Sequence, residues 1–125
     1  MNKKRNDNLI KKAEKALQSE YVDMLYAGTI KDSFNGQTAA FGVTVALSGL
    51  RPALAIYLKK TEECNRPQIL NAIAVMMGIK QKDAGEKLFQ EILKCDSSKL
   101  NDYKRDILDC SIALKQVIRT YKLIN

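Results

Sequence analysis

The residues of this chain that could do chemistry are clustered lysines and arginines, three neighbouring aspartates and three cysteines. No histidine occurs among the 125 residues. Histidine is the usual general base near neutral pH, so Ser-His and Cys-His nucleophile arrangements are excluded. The six glycines never approach the spacing of a phosphate-binding loop. We therefore predict no catalytic residue and no nucleotide hydrolysis.

Three aspartates, Asp102, Asp106 and Asp109, gather on one edge of the predicted last helix. Carboxylates of this kind could hold the metal ions of a two-metal nuclease. Such nucleases draw their ligands from several elements around a pocket. Three aspartates on one exposed helix face are more typical of a solvated edge, or of a docking patch for a basic partner. No metal site is predicted, and the two surface interpretations stay open.

The cysteines, Cys64, Cys95 and Cys110, are odd in number, widely spaced and without a C-x-x-C pair. This pattern does not predict a disulfide framework. Zinc is not predicted either, because three thiolates without a histidine would leave a tetrahedral site incomplete. We expect free thiols in a reducing compartment, and no cofactor.

No membrane segment is predicted. The basic segment Met1–Lys15 is not followed by an apolar stretch of the kind found in secretion signals. The longest nearly uncharged run, Phe34–Leu50, is shorter than the roughly 20 apolar residues that a bilayer span needs. We expect a cytoplasmic protein.

Positive charge is concentrated in three segments of a chain whose formal net charge is +7. Met1–Lys15 carries six basic and two acidic residues, and Arg51–Lys60 carries three basic residues and no acid. Tyr103–Asn125 carries five basic and two acidic residues. Localised excess charge and a pI near 9.4 are typical of a protein that binds a polyanion.

The predicted last helix separates a basic face from an apolar face. At about 100° per residue, four of its cations fall within an arc of roughly 60°. These cations, here called the basic stripe, are Lys104, Lys115, Arg119 and Lys122. The first helix repeats the plan, with Lys11, Lys12 and Lys15 opposite apolar residues. Such faces either bind a polyanion or simply keep amphipathic helices in solution.

Arg51 lies in the sequence Ser48-Gly49-Leu50-Arg51-Pro52, which is typical of a sharp corner between two helices. Gly49 can adopt the left-handed conformation that ends one helix, and Pro52 suits the first turn of the next. A helix N-terminus with a nearby arginine is a natural phosphate site. The alternative is that Arg51 caps a neighbouring helix or pairs with an acid.

Three apolar residues, Leu108, Ile112 and Leu123, lie beside or within the basic stripe and away from the core-facing side. A neighbouring protein subunit could cover them. A bundle in which the last helix is central would bury them equally well, and both interpretations are kept.

Glycines, prolines and capping residues divide the chain into six helical segments, and no segment alternates long enough to predict a strand. The predicted helices run approximately Asn8–Ala27, Gln37–Ser48, Pro52–Lys60, Pro67–Gly78, Asp83–Lys94 and Lys99–Leu123. The fold class is all-α, a compact bundle of about six helices with long first and last helices. A single helical domain is expected over residues 1–125, in which residues 1–6 could be a disordered basic tail.

The region around the corner resembles a known family, the small α-helical subunit of Cmr-type (type III-B) CRISPR RNA-guided effector complexes. The residues that carry the resemblance are Phe41-Gly42, Ser48-Gly49-Leu50, Pro52-Ala53-Leu54-Ala55, Tyr57 and the closing segment from Ser111 to Tyr121.

The resemblance implies a subunit that is not the nuclease of its complex. In that family several copies stack along the complex, and their basic face lines the channel that holds the crRNA–target duplex, chiefly through phosphates. The implied partners are RNA, other effector subunits and copies of the chain itself, with no small-molecule substrate. The RNA-binding residues expected here are Arg51, the basic stripe, Lys11, Lys12 and Lys15, and the expected subunit interface is Leu108, Ile112 and Leu123.

Two alternatives are kept. One is the small subunit of the related Csm-type complex. The other is a helical adapter that binds protein through Leu108, Ile112 and Leu123, with RNA irrelevant. Only three Phe and five Tyr occur, without Trp, which argues against base stacking as the main mode of RNA binding.

Overall fold

The structure, a computed structural model, describes residues 1–60 and 65–125, and most of them are helical. In chain order the described helices are α1 (Lys3–Gln18), α2 (Asp32–Ser48), α3 (Leu50–Tyr57), α4 (Pro67–Met76), α5 (Ala84–Lys94) and α6 (Ser97–Ile118). The first and last of them pack together. The predicted six-helix bundle with long terminal helices is confirmed. Residues 61–64 of the predicted polar loop, Cys64 among them, lie outside the described residues.

A small three-stranded sheet accompanies the helices, although no alternating segment of the sequence is long enough to predict a strand. Its strands are β1 (Leu25–Tyr26), β2 (Thr29–Lys31) and β3 (Lys122–Ile124). β1 pairs antiparallel with β2, and β3 pairs parallel with β2, with Ile30 opposite Leu123. Strands of two or three residues are too short for an alternating pattern to show in the sequence.

The first helix is placed differently from the prediction. It begins at Lys3, where the Asn2 side chain accepts a hydrogen bond of 2.8 Å from the Arg5 backbone N–H. The residues expected as a basic tail are therefore largely in the first turns of α1. It ends at Gln18, because the Ser19 hydroxyl and N–H both donate hydrogen bonds to the Ala16 carbonyl, at 2.7 and 3.1 Å.

The sequence predicts that the first helix continues to Ala27. After α1 the chain instead forms the β1–β2 hairpin. Ala27 and Gly28, both with positive φ, make its turn. Residues 29–36, predicted as a loop, are β2 and the first residues of α2.

The corner at Gly49 is confirmed. Gly49 has φ 89°, ends α2 and begins α3. Its N–H donates to the Val45 carbonyl at 2.8 Å, while its own carbonyl accepts from the Ala53 N–H at 3.1 Å. Pro52 lies in the first turn of α3, as expected. α3 ends at Tyr57, three residues earlier than predicted.

The predicted capping box at the junction of α4 and α5 is wrong. Asp83 does not form the predicted capping box, because it has φ 55° and its side chain makes no cap hydrogen bond. The buried Asn71 side chain of α4 instead accepts from the Gly85 N–H at 2.9 Å. A Cβ at Gly85 would lie 2.7 Å from Cβ of Leu70, so the two helices pack closely only because this residue is glycine.

The last helix starts at Ser97, two residues before the predicted Lys99, and the Asp96 side chain caps it by accepting from the Lys99 N–H at 2.9 Å. It ends at Ile118 and not near Leu123, because the chain leaves the helix to form β3. Its core-facing side chains include Ile107, Leu114 and Ile118, which are fully buried. None of the helices in the described residues is both long and apolar enough to cross a membrane.

The residues that carry the family resemblance are mainly packing residues. Phe41 of α2 and Tyr57 of α3 meet edge to face, with ring centroids 5.0 Å apart. The Tyr57 hydroxyl donates to the Gln37 carbonyl at 2.7 Å. Together with the turn at Gly49, these contacts fix the angle between α2 and α3.

Candidate nucleic-acid interface

The basic stripe is divided between two elements. Lys104 and Lys115 lie on α6, and Arg119 directly follows it. Lys122 lies on β3, so its predicted place on the helical face is wrong. Lys104, Arg119 and Lys122 are exposed, and Lys115 is half-buried. Within residues 1–60 and 65–125, none of the four forms a salt bridge.

Arg119 is held at one end of this stripe by α2. Its Nε donates to Asn35 Oδ1 at 3.3 Å. A neutral amide partner leaves the positive charge of the guanidinium uncompensated. The end of α6 therefore presents a positioned cation, which is suited to a phosphate oxygen.

The Arg51 guanidinium lies on the end of α5. Its Nε and Nη2 donate to the Ile92 carbonyl at 3.1 and 3.0 Å, and Nη2 also donates to the Cys95 carbonyl at 2.9 Å. These carbonyls belong to the C-terminal end of α5, where a cation is favoured by the helix dipole. The structure agrees with the alternative in which Arg51 caps a neighbouring helix, and its role as a phosphate ligand stays a prediction.

The aspartates of α6 have a partner within the chain. Arg5 Nη2 contacts Asp106 Oδ1 at 2.9 Å, and Arg5 Nε contacts Asp109 Oδ2 at 3.0 Å. The pKa of Arg5 is raised, chiefly by the hydrogen bond to Asp109. Asp102 lies 3.9 Å from Arg105 of the same helix. Two of the three carboxylates thus join α6 to α1, and the sequence analysis missed this because it treated Arg5 as part of a tail.

The described part of the chain contains no group of carboxylates and cysteines arranged to hold a metal ion. Cys95 and Cys110 are free thiols. Burial raises the pKa of the Cys110 thiol to about 11, and the nearby Asp106 adds to the shift. Arg5 and Lys12 oppose the shift, while Asp109 adds to it slightly. Cys110 is therefore a protonated core residue near neutral pH.

The three apolar residues predicted as a subunit interface differ in exposure. Ile112 is 42% exposed. Leu108 is half-buried on the side of α6 that faces Gly42 of α2, and Leu123 is half-buried in β3. The chain itself thus partly covers Leu108 and Leu123.

A larger apolar surface lies on α2, and the sequence analysis missed it. Val43 and Leu47 are 61% and 82% exposed. Their signal in the sequence is that Asp32 is the only charged residue of α2. A surface helix with almost no charge and with exposed apolar side chains offers those side chains to a partner.

The lysines of α1 form a separate surface. Lys11, Lys12 and Lys15 are exposed, as predicted. Lys12 and Lys15 line a cleft of about 510 Å³ between α1 and the end of α4, whose lining includes Met76 and Met77. No sequence pattern predicts this cleft, because it depends on how α1 packs against α4.

The family model for the CRISPR-associated protein Cas_Cmr5 matches residues 1–121. The chain belongs to the Cas_Cmr5 family. Neither the curated proteins nor the solved structures gave a match.

Membership makes this chain the small helical subunit of a Cmr (type III-B) effector complex. It implies association with the other Cmr subunits and with the crRNA. Cas_Cmr5 proteins are generally non-catalytic subunits. The match favours the Cmr-type interpretation over the Csm-type subunit and over an unrelated adapter.

Proposed function

We propose that this subunit holds the crRNA–target duplex through phosphate contacts made by the basic stripe, and that it stacks along the effector complex without taking part in the chemistry. The observation that carries the proposal is the stripe itself. Its four cations lie on α6 and on the segment that follows it, and none of them is neutralised by an acid in the described residues.

The chemistry of the stripe fits phosphates better than bases. Lysine and arginine side chains on a rigid element neutralise phosphates and position a duplex, but they carry little sequence information. Such a surface suits a complex in which base pairing with the crRNA identifies the target. It also needs no catalytic group, and the aspartates nearest to it on α6 are engaged by Arg5 and Arg105.

The structure offers less support for RNA contact by the other expected RNA ligands. Arg51 is engaged by the end of α5. Lys11, Lys12 and Lys15 project from α1, whereas the Arg119 end of the stripe contacts α2. They stay predicted RNA ligands that need a separate test.

Stacking needs a protein-facing surface as well. We assign it to Ile112 of α6 and to the exposed face of α2 that includes Val43 and Leu47. A neighbouring copy of the chain is the proposed occupant. Each copy carries a formal net charge of +7, so contact through a nearly uncharged helix brings two copies together with least repulsion.

The proposal predicts the behaviour of a stripe variant, K115E/R119E/K122E, in the assembled complex. We expect it to weaken target-RNA retention uniformly across target sequences, because phosphate contacts are sequence-independent. A matched control, K87E/K94E/K99E, reverses three exposed lysines elsewhere and should retain RNA as the wild type does. Filter binding of several target sequences to the purified complexes measures both.

Helicity by circular dichroism and the presence of the subunit in the complex are checked first. The neutral variant K115Q/R119Q/K122Q serves if the reversal disturbs the half-buried Lys115. Ile112→Asp should disturb stacking more than RNA contact. Wild-type RNA retention by both stripe variants would show that the RNA follows another face, with α1 the next candidate.

A further inference from the structure

The cleft between α1 and the end of α4 combines an apolar floor with a positively charged rim. Val75, Met76 and Met77 supply the floor, and the opening has a volume of about 510 Å³. Val75 and Met76 are buried, while Met77 is half-buried. Methionine side chains are flexible and polarisable, so a floor of this kind adapts to apolar groups of different shapes.

The rim of the cleft is formed by Lys12 and Lys15 of α1 and by Lys80 beyond α4. All three are exposed, and within the described chain none of them pairs with an acid. Among residues 1–60 and 65–125, no Asp or Glu lines the cleft. A concave surface lined by one sign of charge attracts groups of the opposite sign.

We infer that this cleft docks an acidic segment of another protein subunit, with one apolar side chain seated on the methionine floor and carboxylates at the lysine rim. Such a segment contacts both the apolar floor and the lysine rim of the cleft. The floor removes an apolar side chain from water, and the rim compensates the flanking carboxylates.

RNA is a poorer occupant. Among the described residues that line the cleft, Tyr21 is the only aromatic one, so there is little to stack a base upon. The hydroxyl of Ser19, which could contact a base edge, already donates to the Ala16 carbonyl at 2.7 Å. A phosphate backbone would satisfy the lysines but leave the methionine floor without an apolar partner.

This inference does not rest on the basic stripe. It removes Lys12 and Lys15 from the RNA-binding set and assigns them to contact with protein. Altering the cleft should therefore impair incorporation of the subunit into the complex, whereas altering the basic stripe should impair RNA retention.

The first test titrates the full chain with defined probes and follows backbone amide chemical shifts. The probes are a nonapeptide of Asp and Glu with a central Leu, the same peptide with Ser in place of Leu, and an RNA oligonucleotide of equal charge. We expect the Leu peptide to shift the amides of Lys15, Met77 and Lys80. The Ser peptide should bind about tenfold or more weakly, because the buried Leu contributes most of the apolar contact.

The second test compares three equally charged variants in reconstituted complexes: the cleft variant K12E/K15E/K80E, the stripe variant and the control K87E/K94E/K99E. Circular dichroism checks that each is folded, and K12Q/K15Q/K80Q replaces the cleft variant if it is not. The cleft variant should lose peptide binding and be incorporated poorly by size-exclusion chromatography. The stripe variant should be incorporated normally but retain RNA poorly.

Three results would overturn the inference. One is equal binding of the Leu and Ser peptides, or no shift with either, since the floor would then have no role. Another is normal incorporation of the folded cleft variant. The third is loss of RNA binding alone in the cleft variant, which would return Lys12 and Lys15 to the RNA-binding set. Loss of RNA retention in the stripe variant bears on the proposed function and leaves this inference unaffected.

Discussion

At the scale of single residues, the structure shows which charged groups are already engaged inside the molecule. Arg5 binds two aspartates of α6, and Arg51 binds the carbonyls at the end of α5. Both count toward the net charge in the sequence, yet neither offers a free guanidinium. The cations available to a ligand are therefore fewer than composition indicates, and most of them are lysines.

Cys110 shows how burial sets the state of a single group, and it leads to a prediction about alkaline pH. Its ordinary pKa of 9.0 is raised to about 11 in the folded chain. The unfolded state therefore loses this proton first, so the stabilising contribution is complete below about pH 9 and is lost as pH rises toward 11. The full effect is on the order of 2 kcal/mol.

The measurement is the free energy of unfolding in urea at several pH values between 8 and 11, for the wild type and for Cys110→Ala. The two proteins should converge in stability as pH rises, because the variant lacks this thiol. Tyr103 and Tyr121 also have raised pKa values, mainly through burial, so the variant should still lose some stability. Parallel curves would show that Cys110 is not protected from ionisation as the structure indicates.

At the scale of helices and strands, the contact between α4 and α5 depends on a single missing side chain. A Cβ on Gly85 would lie 2.7 Å from Leu70 Cβ and 3.0 Å from the Leu70 carbonyl carbon, so it meets backbone that cannot move cheaply. We predict that Gly85→Ala lowers the free energy of unfolding by about 1–3 kcal/mol, although alanine is intrinsically the better helix former. Urea unfolding monitored by circular dichroism measures this.

Asn71→Leu is a companion variant at the same contact. It leaves the buried Gly85 N–H without its acceptor, which we expect to lower the free energy of unfolding by about 1–3 kcal/mol. Gly36→Ala provides the control, because a Cβ there meets no atom within 4 Å. A neutral effect of Gly85→Ala would mean that α4 and α5 are less closely packed than the structure indicates.

The sequence predicts the elements whose signals are local and misses those that depend on distant contacts. Gly49 and Pro52 mark their corner because each residue has a conformational preference of its own. The hairpin after Ser19 has no such signal, since Tyr21, Val22 and Met24 equally suit a continued helix. Residues 122–124 form β3 only because β2, which includes residue 30, lies beside them as a pairing partner.

For the candidate site, too, the sequence predicts the placement of some residues and misses that of others. Lys104 and Lys115 share α6, with Arg119 directly after it, because helical periodicity is a property of the sequence. Lys122 does not, because the helix ends four residues before it. The cleft at Lys80 and the cap at Arg51 both depend on packing between helices that lie far apart in the chain.

At the scale of the whole molecule, the surfaces divide by chemistry. The basic stripe borders α2, the apolar face of α2 is almost without charge, and the cleft lies between α1 and α4. A subunit that stacks in an assembly needs its contacts on different sides, so that RNA and neighbouring proteins do not compete. This division supports assigning a different partner to each surface.

The last prediction tests that division through the salt dependence of RNA binding. Each phosphate neutralised by a lysine or arginine releases bound counterions, so the logarithm of the binding constant falls with the logarithm of salt concentration by about 0.7–0.9 per contact. We predict that the complex carrying K115E/R119E/K122E shows a salt dependence shallower by about 2–3 than that of the wild type. Fluorescence anisotropy of a labelled target RNA over a range of salt concentrations measures the slope.

Variants of the other surfaces serve as references in the same titration. The control K87E/K94E/K99E should keep the wild-type slope although it carries the same change in net charge as the stripe variant, because a slope reports local phosphate contacts and not the total charge. Equally reduced slopes for the stripe variant and the control would show that RNA responds to the overall field of the subunit, whereas wild-type slopes for both would show that the stripe makes no phosphate contact. The phosphate contacts would then have to be sought on α1, where Lys11 lies outside the cleft lining and would be the first residue to reverse.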